Sequence, residues 1–250
     1  MKGCLQRVFW RGLILHLPIL VCLVAGWWQA ALACFVLTGA VMAYGTLSPT
    51  TRMFGPVVSR IGGPGVLLTL DDGPDPVTTP AVLDLLDRHE AKAVFFLIGD
   101  RVRKWPELAR EIVRRGHAVG NHSQTHPAYR FWSLGPWRMW REIAACQETL
   151  TEVLGTAPVW FRAPVGHYNS FVHPALDALG LRLMAWNCRG FDGTDRNVEK
   201  VLARLRENLR PGAVVLLHEA VPTCAAVLEG TLAMLAERKL RPLPLDEAGL

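Results

Sequence analysis

No cysteine spacing in this sequence matches a zinc cluster or a disulfide framework. Its six cysteines divide into Cys4, Cys22 and Cys34 in an apolar N-terminal region and Cys146, Cys188 and Cys224 beyond it. An odd number on each side favours buried free thiols and a reducing compartment. There is no internal repeat, no low-complexity tract and no collagen-like composition. Lys and Arg are scattered, and no aromatic-basic module accompanies them. The formal net charge of +5 therefore points to an anionic membrane surface and not to nucleic acid.

The most informative absence is charge. From Leu13 to Leu47 there is no Asp, Glu, Lys or Arg. As one helix this run would be about 52 Å long, against a hydrocarbon core of about 30 Å. Two shorter spans fit better, Leu13–Trp28 and Ala30–Leu47, turning near Gly26-Trp27-Trp28-Gln29, with tryptophans suited to the membrane interface. A signal peptide would have a shorter apolar region and a small-residue cleavage site. Lys2, Arg7 and Arg11 precede the run, and Arg52 and Arg60 follow it. A hairpin with both basic ends inside places the remaining domain in the cytoplasm; a single tilted span would place it on the other side. The expected organisation is a membrane anchor over 1–50, with one or two transmembrane helices, a linker over 51–63 and one domain over 64–250.

Half of the residues are hydrophobic, enough for a sizeable core. Apolar runs at Val66–Leu70, Val94–Ile98, Ala118–Gly120, Val159–Phe161, Leu183–Trp186, Val214–Leu217 and, weakly, Arg241–Leu245 read as strands. Between them, Thr79–His89, Pro106–Arg115, Trp137–Leu154, His173–Leu179, Val198–Leu209 and Thr223–Arg238 have helical spacing. Such alternation implies an α/β fold on a mostly parallel sheet. The count suggests a distorted (β/α)7-type barrel, with a doubly wound open sheet as the alternative. In parallel barrels the loops after the strands build the active site. Here those positions carry Asp71, Asp72, Asn121, His122, Arg162, Asp192 and His218.

Asp71-Asp72-Gly73-Pro74 suits an Asx-type turn. It equally suits two tasks, because neighbours on an extended backbone point in different directions. His122 and His126 are four apart, so on a helical turn they would share a face. With Asp72 they make two nitrogens and one oxygen, leaving open positions for water and substrate, as a catalytic metal requires. Zinc is the default, with Co2+, Ni2+ and Mn2+ as alternatives. Arg162 ends a strand; as an ion-pair partner of Asp71 it would keep that carboxylate ionised. His218 ends a buried strand, either as a core histidine or as a general acid.

These residues resemble the polysaccharide deacetylase family, also called the NodB homology domain or carbohydrate esterase family 4. Thr69-Leu70-Asp71-Asp72-Gly73-Pro74 resembles its first motif, His122-Ser123-Gln124-Thr125-His126 its second, Arg162-Ala163-Pro164-Val165-Gly166 its third and Leu216-Leu217-His218 its fifth. The resemblance covers roughly residues 64–245. It implies Asp71 as general base, Asp72, His122 and His126 as metal ligands, His218 as general acid and Arg162 as a brace for Asp71. It also implies an oxyanion contact from the Val165 N–H, a substrate contact at Leu217 and a distorted (β/α) barrel. The fourth motif departs: Asp192 takes the carboxylate role that supports the arginine, but Gly193 stands where Trp is usual, and Val165 where Tyr is frequent. Both changes remove aromatic surface from the sugar site. The expected reaction is removal of an N-acyl group, with N-acetyl expected, from an amino sugar in a glycan or lipid-linked glycan. An O-acyl carbohydrate esterase and a non-catalytic binding protein on the same fold are the alternatives.

Overall fold

The computed structural model describes residues 13–14 and 16–250. Residues 16–24 are helical, and a turn at Ala25-Gly26, with φ +77° at the glycine, separates them from α1, Trp28–Leu47. Among the described residues α1 is the one helix long and apolar enough to cross a membrane; twenty helical residues rise about 30 Å. The other expected span, from Leu13, lies partly outside the described residues, and Lys2, Arg7 and Arg11 lie wholly outside them.

Eight strands follow: β1 Val57–Val58, β2 Leu67–Gly73, β3 Ala93–Leu97, β4 Ala118–Asn121, β5 Trp160–Phe161, β6 Arg182–Met184, β7 Cys188–Arg189 and β8 Val214–His218. They form one sheet in the order β1-β6-β5-β4-β3-β2-β8-β7, and every pair is parallel. The outermost strands do not pair with each other, so the expected barrel is an open half-barrel. Its helices are α2 Thr78–Arg88, α3 Gly99–Lys104, α4 Pro106–Arg114, α5 Pro136–Leu154, α6 Val172–Leu179, α7 Val198–Asn208 and α8 Cys224–Glu237.

Alternation along the strands sorts the core into two layers. Phe95 and Leu97 of β3 pack with α2 and α4 residues such as Leu86 and Ile112, whereas Val94 and Phe96 face Phe161, Tyr168 and Trp186 on the concave side. All five β3 residues are buried, as for a parallel strand covered on both faces. The same period of two sends Leu67, Thr69 and Asp71 of β2, and Val214, Leu216 and His218 of β8, to the concave side; Leu67, Val214 and Leu216 belong to its core.

Local chemistry explains the element ends. Asp75 Oδ1 accepts the N–H groups of Val77 and Thr78 at 2.9 and 3.0 Å where α2 starts, and Asn197 caps α7 through the Lys200 N–H. Left-handed Gly155 and Gly180 end α5 and α6.

Three features differ from expectation. Arg241–Leu245 is not a strand: it makes one isolated bridge, Val66 to Pro242, because Pro242 and Pro244 have no N–H to extend a ladder. Strands β1 and β7 are only two residues each, too short for a visible apolar period, and β1 lies within the 51–63 segment. Helix α3, whose six residues include Arg101, Arg103 and Lys104, is too short and basic to show an apolar stripe.

Candidate active site

The two aspartates part company at a β-bulge. Asp71 continues the inward alternation of β2, and the register then shifts between Asp71 and Gly73. The extra residue, Asp72, takes φ +72°. The expected divergence of the carboxylates is therefore produced by a left-handed bulge and not by plain strand alternation. Asp71, 4 % exposed, accepts from Arg162 Nη1 at 2.7 Å. Arg162 is itself 1 % exposed. It also donates to Thr69 Oγ1 at 2.7 Å and to the carbonyls of Met184 and Ala185, and its guanidinium lies 4.1 Å from the centre of the Phe96 ring. A buried cation so tethered fixes the orientation of Asp71.

Asp72 turns to the histidines. Its Oδ1 lies 3.4 Å from His122 Nε2 and 3.2 Å from His126 Nε2. Residues 122–126 are not a helical turn. They form a loop with left-handed backbone at Ser123 (φ +64°) and His126 (φ +51°), and the two rings approach to 4.7 Å by that route. The loop is pinned by Asn121 Oδ1, which accepts the Ser123 N–H, and by Glu142, which accepts from Thr125. His122 Nδ1 donates to the Arg162 carbonyl at 2.8 Å, which leaves Nε2 as the ligating atom.

Residues Asp72, His122 and His126 each offer a ligand atom within 4.8 Å of the others. Asp72 Oδ1 is buried without a hydrogen-bond partner, a position that a cation would satisfy. Burial acts to raise the Asp72 pKa, but His122 and then His126 outweigh it and hold the carboxyl far below its usual range. Burial, reinforced by His122, depresses His126 to about 4, so that this imidazole is neutral near pH 7. An ionised carboxylate and a neutral imidazole are the forms that bind a divalent ion, so these residues fit one.

Opposite them stands His218, the register partner of Asp71 across β2 and β8. Its Nδ1 donates to Asp192 Oδ1 at 3.1 Å, and its backbone N–H donates to Asp192 Oδ2 at 2.6 Å. Burial lowers the His218 pKa, but the Asp192 hydrogen bond and charge, with Asp71 and Asp72, raise it to about 9. This corrects the expected support of Arg162 by Asp192: the carboxylate braces His218, and the arginine relies on Asp71, Thr69 and two carbonyls. Leu217 is corrected too. It points to the convex core, because alternation gives the concave positions to Leu216 and His218.

Asp71, Asp72, His122, His126 and His218 line one hollow of about 250 Å3. A sequence model described as "Polysaccharide deacetylase" matches residues 60–184. The chain belongs to the polysaccharide deacetylase family. It is a polysaccharide deacetylase-like hydrolase. It is 32 % identical over 164 residues to a chitooligosaccharide deacetylase of Azorhizobium caulinodans, covering 65 % of this chain and 77 % of that one. It is 34 % identical to the peptidoglycan-N-acetylglucosamine deacetylase PgdA of Listeria monocytogenes, covering 73 % of this chain and 38 % of the relative. The solved structure of the peptidoglycan deacetylase PdaC from Bacillus subtilis superposes with a TM-score of 0.68 at 26 % identity, covering 74 % of this chain and 89 % of that one.

Within this deacetylase fold, the hollow is also lined by Tyr129, Val165, Trp186, Arg189, Phe191 and Gly193. Tyr129, Trp186 and Phe191 supply aromatic surface that the changes at 165 and 193 were expected to remove. Their spacing carried no signal, since each arrives from a different loop. Gly193 has a steric reason: a Cβ there would lie 3.1 Å from the His218 ring. Behind the hollow, the Glu219 N–H donates to the Asp71 carbonyl at 2.9 Å. The Glu219 side chain is fully buried and accepts from Thr79 Oγ1. Its Oε2 has no hydrogen-bond partner, and burial lifts its pKa to about 8.

Proposed function

We propose that the chain is a metal-dependent N-deacylase, held in a membrane by its N-terminal apolar segment, that removes an N-acetyl group from an amino sugar in a glycan or lipid-linked glycan. The observation that carries this is the opposition, in one hollow, of Asp71–Arg162 and His218–Asp192 across the Asp72-His122-His126 cluster. The hollow is small for a drug-sized ligand, whose sites run from about 300 Å3 upward, and suits one acylated sugar unit with its rim open to a chain or a lipid.

Asp72, His122 and His126 would hold the ion, with zinc as the default for a two-nitrogen, one-oxygen set and Co2+, Ni2+ or Mn2+ as alternatives. A divalent cation so held supplies Lewis-acid polarisation of the acyl carbonyl and lowers the pKa of water. Asp71, oriented by Arg162, takes a proton from water as the water oxygen bonds to the acyl carbon. The Val165 N–H, on a loop with φ +50° at the rim, donates to the carbonyl oxygen as it gains charge. His218, protonated near pH 7, gives its proton to the amide nitrogen as the carbon–nitrogen bond breaks, leaving a free amine and a carboxylate. Asp192 steadies the charged imidazole. The names of the relatives support an N-acetylglucosamine substrate, and the basic flanks of the apolar segment support a cytoplasmic domain.

Mass spectrometry of membrane glycolipids and glycans from cells with and without the protein tests this reading. A product lighter by one acetyl group and bearing a free amine is expected. Loss of acyl from hydroxyl positions alone would make the chain an O-acyl esterase, and unchanged glycans would overturn the assignment. A reporter fused after Leu250 that is active only outside the cytoplasm would reverse the orientation.

A further inference from the structure

The end of α1 is built into the active-site wall. Gly45 lies so close to Met53 and Phe54 that a Cβ there would meet Met53 Cε at 2.5 Å. The Tyr168 N–H donates to the Thr46 carbonyl at 3.3 Å, and the Tyr168 hydroxyl donates to the Thr51 carbonyl at 3.1 Å. A Cβ on Gly166, next to the rim residue Val165, would meet Pro49 Cβ at 2.9 Å. One residue beyond Tyr168, Asn169 Nδ2 donates to the carbonyls of Trp132 and Leu134 at 2.8 and 2.9 Å, which fixes the loop that brings Tyr129 to the hollow. Continuous contacts thus run from the apolar helix through the third-motif loop to the mouth of the site.

The segment that carries Tyr129 to the hollow has the composition of a bilayer interface. Residues 127–141 contain Tyr129, Phe131, Trp132, Trp137 and Trp140, together with Arg130, Arg138 and Arg141, and no acid. Tyr129 is 92 % exposed, and Trp132, Trp137, Val165 and Phe191 are also exposed. The three arginines are exposed and make no ion pair among the described residues, whereas Arg110, Arg114 and Arg115 on α4 and at its end are paired with acids. Aromatic side chains with unpaired cations are the combination that headgroup layers of anionic lipid take up.

We infer that the surface formed by Tyr129, Trp132, Trp137 and the three arginines docks on an anionic lipid surface, so that the hollow beside Tyr129 opens onto the headgroup layer and takes an amino sugar carried by a lipid. This rests on the membrane-anchor reading above and deepens it. The docked α1 end sets the height, the aromatics enter the interface and the arginines meet anionic headgroups.

The test uses the full chain reconstituted in vesicles of phosphatidylcholine and phosphatidylglycerol that contain a diazirine-bearing lipid. After illumination and peptide mapping, adducts are expected in 129–141 and at Phe191 as well as in 13–47, and none at Lys239–Arg241. Adducts confined to 13–47 in vesicle-bound protein would overturn the docking and leave the anchor standing. Protein that stays in the supernatant without adducts would overturn the anchor itself. A second readout uses the variant Trp137→Ser/Arg138→Ser/Arg141→Ser. On a vesicle-borne N-acetylamino-sugar lipid, kcat/KM should fall about tenfold or more, since each surface cation contributes about 1 kcal/mol; on a soluble N-acetylated oligosaccharide it should hold. Equal loss on both substrates, or no loss on either, would overturn the docking.

Discussion

The two walls of the hollow are made in opposite ways. One wall carries Asp71 and His218 on adjacent paired strands, each already bonded to a buried partner, Arg162 or Asp192. The other carries Asp72 and His126 on left-handed backbone, around a carboxylate oxygen with no hydrogen bond. Left-handed non-glycine residues cost about 1–3 kcal/mol each. The paired wall is thus finished by the protein alone, while the other wall is strained and would be completed by a cation. Chemistry and metal retention should therefore separate cleanly by mutation.

The sharpest separation comes first. Asp71→Asn and His218→Ala should each lower kcat/KM by about 10²–10⁴-fold while metal content, read by atomic absorption, stays at the wild-type ratio. Loss of the metal in either variant would break the comparison. From the other wall, His126→Ala should abolish bound metal, and with it the metal-dependent rise in melting temperature. That rise reflects about 2.7 kcal/mol when the ion is at a hundred times its Kd. Undiminished metal in this variant would remove His126 from the ligand set.

A subtler test lies within the paired wall. With His218 as the proposed general acid, activity should fall as pH rises through its pKa of about 9. Asp192→Asn removes the largest raising influence. The alkaline limb of the kcat/KM profile should move to lower pH, with the acid limb unchanged. An unmoved alkaline limb would assign it to another group. The smallest effect is expected from Gly193→Ala. Its methyl would press on the His218 ring, which should yield by a few tenths of an ångström. A loss of about tenfold or less is expected, with metal content and the acid limb preserved.

Much of this site was legible because strand ends and motif spacing are local properties. Asp71, Asp72, His122, Arg162 and His218 each follow or end an apolar run, His126 shows by its spacing from His122, and six of the eight strands show as such runs. What was not legible depends on pairing and register. The partner of Asp192 is decided by which strand lies beside β7, and β7 is two residues long. Leu217 was misplaced because a motif match ignores the alternation that aims Leu216 and His218 inward. The histidine pair looked helical by spacing, yet left-handed Ser123 brings the rings together without a helix. Tyr129 and Phe191 reach the hollow from loops far apart in sequence.

Glu219 has a consequence for the working range of the enzyme. Its folded pKa of about 8 lies above the ordinary 4.5, so folding takes up a proton. The stability tied to that proton is complete below pH 4.5 and drains away as pH rises through about 8. His218 keeps its proton until about pH 9. Between pH 4.5 and about 8 the scaffold should therefore lose stability while His218 still keeps its proton, so endurance declines over a range in which the acid is intact. An assay of seconds and an incubation of hours should report different pH profiles for the same molecule as pH rises toward about 8.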